Sequence, residues 1–296
     1  MPVKSQSAME YLMTYGWAIL IIAVVLTILF QLGIFSAGNF QPHAQAGSCQ
    51  VSRTVAGVSL EGQCNGMLPQ YVGAFSNSNA NTGGFILGPV VPISESPITV
   101  TAWIYISGVA TSHDSGIVGN DGGSAAEGFQ LLMGEDGKLY FNVNGVGIGS
   151  PSPMPIKTWN FVSAVYSPST GYATLYLNGT EYGNPLNLGS GRTLGAPYDM
   201  AIGNDAWQEG SGYDSWWGDL SNVQIYNTTL SQPELQAIYQ EGIGGAPIRP
   251  QNLTAWWPLN GNANDYSGNN YNGAIDGIGA NPFTYSSSWE SGYTAP

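Results

Sequence analysis

The chain has 296 residues, carries 19 acidic against 6 basic side chains for a formal charge of −13, and is only 8% charged. An acidic, lysine-poor surface lacks the basic patches that nucleic acid or an anionic membrane surface requires. The low charge fraction also excludes the carboxylate-coated surface of a salt-adapted protein, and leaves an uncharged polar exterior suited to an outside location or an assembly.

The N-terminal string Lys4-Ser5-Gln6-Ser7-Ala8-Met9-Glu10-Tyr11 leads into an uncharged run from Tyr11 to Ser52, nearly all apolar between Trp17 and Phe35. Proline is absent from Val3 to Gln41, and Ala18, Leu20, Ala23, Leu26 and Leu29 favour a helix. A helix from Gln6 to Phe35 would be about 45 Å long, more than the roughly 30 Å of a bilayer's hydrocarbon core. A carboxylate at the mouth of such a segment is costly in hydrocarbon, which makes Glu10 a candidate functional residue. A secretory signal peptide has a shorter apolar region, about 7–15 residues, followed by a small-x-small cleavage site; Phe35 spoils the candidate at Phe35-Ser36-Ala37. A plain one-pass anchor fits the length and stays open.

The string Gln6-Ser-Ala-Met-Glu10-Tyr11 resembles the class III signal peptide of archaeal type IV pilin-like proteins. The resemblance implies a leader over 1–5, cut by a prepilin-type peptidase between Ser5 and Gln6, and a helix over 6–36. Glu10 becomes the fifth residue of the mature chain, where it meets a neighbour's new amino group. The chain departs from the family at Ser5, where Gly or Ala is more usual. Implied partners are the membrane, for the precursor, and identical or related pilin-like subunits; the implied location is the cell surface, as an anchored precursor or a filament.

Residues 37–68 read as a linker and a loop holding both cysteines, Cys49 and Cys64. Oxidised on an outer face, the pair would close a loop stabilised by about 3 kcal/mol in the chain-entropy model; two separate buried thiols are the alternative. Asn178, Asn227 and Asn252 each begin an Asn-x-Thr glycosylation sequon.

From Pro69 to about Tyr239 apolar residues recur at every second position. Ile98, Val100, Ala102, Ile104 and Ile106 alternate with Thr99, Thr101, Trp103 and Tyr105, as in a strand with one face buried. Leu139, Phe141 and Val143 repeat the signal. Phe161, Ser163 and Val165 are expected to pair with Ala173, Leu175 and Leu177 across a Ser-Pro-Ser-Thr-Gly turn. Ser231-Gln-Pro-Glu234 is a capping box, with Leu235, Ile238 and Tyr239 as the apolar face of the helix it starts. Short strands between Gly, Asn and Pro turns predict a mainly β antiparallel sandwich, preceded by the long N-terminal hydrophobic helix.

The ordered phrases Ile98-Thr-Val-Thr-Ala-Trp-Ile104, Gly128-Phe-Gln-Leu, Gly137-Lys-Leu-Tyr-Phe141, Trp159 to Tyr166, Leu175-Tyr-Leu-Asn-Gly179 and Trp217 to Tyr226 resemble a laminin-G-like, concanavalin A-like jelly roll. The resemblance spans 69–242 and implies glycan or protein binding. The Glu-x-Asp-x-x-Glu string of the related glucanases does not occur, nor does a Gly-x-Ser-x-Gly elbow, a phosphate loop or a dinucleotide fingerprint; the chain therefore reads as a binding protein, not an enzyme, with a tethered polysaccharide hydrolase as the remote alternative. The same resemblance makes Asp219 and Asp265 candidate ligands for a structural Ca2+, against the alternative that they cap turns. His43 and His113 stand alone, which gives zinc no support.

The loop holding Asn204, Asp205, Trp207, Tyr213, Asp214 and Trp216 is the densest meeting of aromatic rings with amides and carboxylates and is the candidate sugar site, against the alternative that its tryptophans take their usual place in a sandwich, the core or its edge. The stretch 243–296 opens with Leu253-Thr-Ala-Trp-Trp-Pro-Leu-Asn260, a phrase resembling the first strand of such a domain although it comes last. About 45 residues are too few for a second sandwich. Completion of the sheet within the subunit is favoured over a truncated repeat or a strand lent to a neighbour.

Overall fold

The computed structural model describes residues 19–27, 69, 71–75, 84–93, 97–121, 128–192, 194, 199–204, 215–277 and 284–286. The chain divides into two compact units, Met1–His43 and Ala44–Pro296. In the first, residues 19–27 form a helix, α1. Its Ile and Leu side chains are all exposed, from Leu26 at 49% to Ile19 at 65%, and Thr27 donates its hydroxyl to the Ala23 carbonyl. Among the described residues no helix is long and apolar enough to cross a membrane. The expected helix over 6–36 is thus described only across these nine residues.

In the second unit the chain runs β1 (Val72–Phe75), β2 (Gly84–Gly88), β3 (Ile98–Ile106), β4 (Ser115–Gly119), β5 (Phe129–Met133), β6 (Leu139–Val143), β7 (Val146–Gly149) and β8 (Trp159–Tyr166). It continues through β9 (Tyr172–Leu177), β10 (Thr180–Glu181), β11 (Leu186–Asn187), β12 (Met200–Ile202), β13 (Gly218–Tyr226), helix α2 (Gln232–Glu241), β14 (Leu253–Trp257), β15 (Ala274–Gly277) and β16 (Thr284–Ser286). The strands form two antiparallel sheets. Sheet A is ordered β10-β9-β8-β3-β13-β1-β16, with β11 on β9 and β14 on β13; sheet B is ordered β15-β2-β12-β4-β5-β6-β7.

The two sheets pack around one apolar layer. From sheet A it takes Ile98, Val100, Ala102, Ile104 and Ile106 of β3, and from sheet B it takes Leu131, Met133, Leu139, Phe141 and Val143. Each large apolar side chain removed from water there contributes roughly 1.5–3 kcal/mol. The opposite face of β3 is covered too. Trp103 and Tyr105 lie in a second cluster with Phe161, Leu235, Ile238 and Trp256, where α2 packs on sheet A, and the Tyr239 ring stacks on Trp103 at 5.6 Å. All nine residues of β3 are therefore buried, and the expectation of one solvated face is corrected: the alternation separates two cores.

Tight turns set the register. Asn144-Gly145 and Asn178-Gly179 hold φ values of 48°, 70°, 51° and 73°, the left-handed pair that a two-residue hairpin needs. The β8–β9 hairpin forms as expected, but Ala173, Leu175 and Leu177 face Tyr166, Ala164 and Val162 rather than Val165, Ser163 and Phe161. A one-residue slip exchanges faces, and Phe161 and Val165 belong to the outer cluster under α2.

The C-terminal stretch supplies strands to both sheets of its own subunit. β14 pairs with β13, β15 with β2 and β16 with β1. Trp257, Ala255 and Leu259 enter the inner core, and Leu253 and Trp256 the outer one.

Candidate functional site

Side chains that point away from the core on sheet B form a strip of mostly small residues with two amides. Cross-strand register places Leu87, Ala201, Gly119, Gln130, Asn142 and Gly147 in one continuous row across β2, β12, β4, β5, β6 and β7. The glycines make room for their neighbours in this row: a methyl group on Gly147 would stand 1.8 Å from Asn142 Oδ1, and one on Gly119 would stand 3.2 Å from Gln130 Cγ. Gln130 is only 5% exposed, and its Nε2 has no hydrogen-bond partner. A buried amide donor left unpaired costs about 1–3 kcal/mol.

Tyr140 lies beside the strip, opposite Leu132 on β5 and Gly149 on β7. A methyl group on Gly149 or Gly134 would stand 2.6 or 2.7 Å from the ring; the phenol lies against these two glycines because neither carries a side chain. The Tyr140 hydroxyl donates to Asp136 Oδ2 at 3.0 Å, and Lys138 holds the same oxygen at 3.2 Å. Burial, then the bond to Asp136, keeps the phenol pKa above its ordinary value, so Tyr140 stays a neutral platform. The Asp136 carboxyl sits low: its slight burial would raise it, but hydrogen bonds from Lys138 and Tyr140 outweigh that. Asp114, raised chiefly by burial, feels both Glu135 and Asp136. Three carboxylates at this end repel anions and suit an uncharged ligand.

Residues 79–236, more than half of the chain, match a laminin-G family model described as the concanavalin A-like lectin/glucanases superfamily. The chain belongs to that superfamily. No curated protein matches it. A candidate carbohydrate-binding protein from Bacteroides ovatus is similar in structure, with a TM-score of 0.56 at 20% identity over 74% of this chain and 60% of that one. A heptameric pentraxin of Limulus polyphemus follows at 0.46 and 20%, covering 58% and 82% of the two chains. A Ruminococcus gnavus sialidase domain, solved with bound sialyllactose, stands at 0.43 and 16%, covering 56% and 96%. The chain spans 60% of the length of the Bacteroides ovatus relative.

Two residues of the candidate sugar loop, Asn204 and Trp216, are among the described residues. Trp216 is fully buried in the inner core, so for this residue the core alternative holds and its ring presents no face to a ligand. Asn204 is also buried, at 1% exposure, and Asp205, Trp207, Tyr213 and Asp214 lie outside the described residues, as do Ser5, Gln6, Glu10, Cys49 and Cys64.

Asp265 is an edge cap. Its Oδ1 accepts the backbone N–H groups of Trp256 and Ser267, each at 2.9 Å, and its Oδ2 accepts the Ser267 hydroxyl at 2.8 Å and the Tyr271 N–H at 2.9 Å. These four donors use the lone pairs that a carboxylate offers and tie the free edge of β14. Asp219 lies on β13 opposite Ala74 and Tyr105, five residues from the Gln224 that faces Trp256. Among the described residues no group of three His, Cys, Asp or Glu side chains could hold a metal. The turn-capping alternative accounts for Asp265.

The sequon asparagines also hold structural bonds. Asn178 Oδ1 accepts the Phe161 N–H at 2.9 Å, and Asn252 Nδ2 donates to Asn227 Oδ1 at 3.1 Å. Gln130, Tyr140 and Asn142 were not singled out from the sequence, where their phrases serve only as strand markers. The available signal was two amides at outward positions of apolar strands, beside the glycines at 147 and 149.

Proposed function

We propose that this protein is a cell-surface adhesive subunit whose sandwich binds uncharged glycans on the outer face of sheet B. The observation that carries the reading is the Tyr140 ring, laid against Gly134 and Gly149 on the outer face of sheet B, next to the cross-strand amide pair Gln130 and Asn142. Sugar hydroxyls both donate and accept, so they pair with amides, while an aromatic ring meets the apolar face of a pyranose; specific sites combine such linings. The Bacteroides ovatus relative, described as a candidate carbohydrate binder, is in keeping with this. Display rests on the N-terminal apolar segment, with Glu10 pairing subunits in a pilin-like filament after cleavage at Ser5-Gln6. The exposed apolar surface of α1 supports that role, since a helix apolar all round needs lipid or other helices about it.

Glycan-array binding of the purified chain tests the first half. Neutral glycans are expected to be bound, and Tyr140→Ala or Gln130→Ala to weaken binding about tenfold; preference for sialylated glycans, or indifference to both variants, would overturn it. Mass spectrometry of the native N-terminal peptide tests the second. A start at Gln6, with filaments lost in Glu10→Gln, is the expected result; an intact Met1 or Pro2 would instead mean a single-pass anchored lectin.

A further inference from the structure

The sequons at Asn178, Asn227 and Asn252 take no part in the function proposed above. N-linked attachment adds a bulky group and belongs on a surface loop, where both the asparagine amide and the hydroxyl two residues on are open to a transferase. The fold treats the three sequons differently. Asn178 is half-buried in the turn after β9, and Gly179 in the middle of its sequon is buried against α2, where a methyl group would stand 2.9 Å from Gln236 Cα. Asn252 is half-buried and its Nδ2 already donates to Asn227 Oδ1 at 3.1 Å. Leu253 beside it is buried, as is the hydroxyl oxygen of Thr254 that completes the sequon. Asn227 and Thr229, by contrast, are both exposed.

The Asn227 sequon is also held in place. Its backbone N–H donates to the Asn252 carbonyl at 2.9 Å, and the Thr228 carbonyl accepts the Thr99 hydroxyl at 2.7 Å. The oxygen and nitrogen of an amide diverge from one carbon, so anchoring Oδ1 on Asn252 turns Nδ2 away from it. We infer that Asn227 is the N-glycosylation site of this chain, and that Asn178 and Asn252 are not modified in the folded protein. The donor is an oligosaccharide linked to a lipid phosphate. In the transfer a bond forms between Nδ2 and the anomeric carbon of the first sugar, and the bond from that carbon to the phosphate oxygen breaks. The lipid phosphate leaves with the electron pair, and Nδ2 gives up one of its two protons to solvent. Oδ1 keeps its lone pairs, so the hydrogen bond from Asn252 survives the modification. The glycan stands at the end of β13 in sheet A and leaves the Tyr140 face of sheet B uncovered. The inference rests on the cell-surface location proposed above.

Mass spectrometry of chymotryptic peptides from the chain purified from its native cells tests the site. The peptide holding Asn227 should carry an added oligosaccharide mass, and those holding Asn178 and Asn252 should not. Thr229→Ala should abolish the added mass and Thr229→Ser should retain it, both with an unchanged melting midpoint, since neither touches the bond between Asn227 and Asn252. An unmodified Asn227, a sugar on Asn178 or Asn252 in its place, or a mass that persists in Thr229→Ala would overturn the inference. Location is read separately, from the N-terminal peptide and from protease access in intact cells. An unmodified chain at the surface therefore counts against this inference alone, whereas a chain confined to the cell interior counts against both.

Discussion

Asp265 shows how one carboxylate can specify a loop. It receives a backbone N–H from the strand it caps and another from each end of the turn that follows, while the Ser267 hydroxyl it binds donates from the same turn. Asn272 in turn accepts the Asp265 N–H at 2.9 Å. Replacement by asparagine puts an amide donor against one pair of these donors. Leaving buried donors unpaired costs about 1–3 kcal/mol each, and a domain of this size loses about 2–4 °C per kcal/mol. Asp265→Asn should lower the melting midpoint by about 4–10 °C in calorimetry, by the same amount in calcium and in chelator. A calcium-dependent midpoint in the wild type that vanishes in the variant would show that a cation, not the turn, is what this residue holds.

Helix α2 carries two glutamates with opposite titration behaviour. Glu234 is partly buried, which would raise its pKa, but the N–H and hydroxyl of Ser231 and the Arg249 guanidinium hold it below the ordinary value. A lowered folded pKa gives stability that is present above the unfolded value and lost as pH falls through the folded one. Glu241 is raised by burial, and its Oε2 accepts no hydrogen bond; its contribution has the other sign, present at low pH and lost as pH rises through the raised value. In a melting series from pH 3 to 8, Glu234→Gln should cost about 2–4 °C at neutral pH and remove the acid-side loss, since a helix cap is typically worth about 1 kcal/mol. Glu241→Gln should raise the neutral midpoint by about 1–2 °C and leave the acid side unchanged. If the two variants gave the same profile, the assignment of these signs would be wrong. The capping box of this helix was legible because its residues are adjacent in the chain. The docking of α2 on Trp103 was not, because period two reads the same whether the second face of β3 meets water or another apolar layer. The one-residue shift between β8 and β9 escaped for a similar reason: Phe161 and Val165 are as apolar as Val162 and Ala164, and only the partner layer tells them apart. At the candidate site the strands were legible and the ligand-facing residues were not, since Gln130, Asn142 and Gly147 converge only through cross-strand register.

At the scale of the molecule, the last strands in the sequence are integral to both sheets. β14 covers half of β13 on one side, and Trp256 donates its ring N–H to Asn222. Asn222 holds a left-handed φ of 52° in the irregular stretch of β13 and also takes the Gln224 amide, so the bend of this central strand depends on a residue 34 positions later. Trp257 fills the inner core and its ring N–H donates to the Tyr271 carbonyl. A chain ending at Gly242 loses Leu253, Ala255, Trp256, Trp257 and Leu259 from the two apolar clusters. At about 2–5 kcal/mol for each large core side chain removed, this loss is as large as the whole stability of an ordinary domain, about 5–15 kcal/mol. The unit Ala44–Pro296 is compact in its own right. Residues 44–296 expressed alone should therefore melt cooperatively, while residues 44–242 should give no cooperative transition and bind the dye that reports exposed apolar surface. A cooperative melt of 44–242 would mean that β1 to β13 with α2 form a self-sufficient sandwich, and that the C-terminal strands decorate the fold rather than complete it.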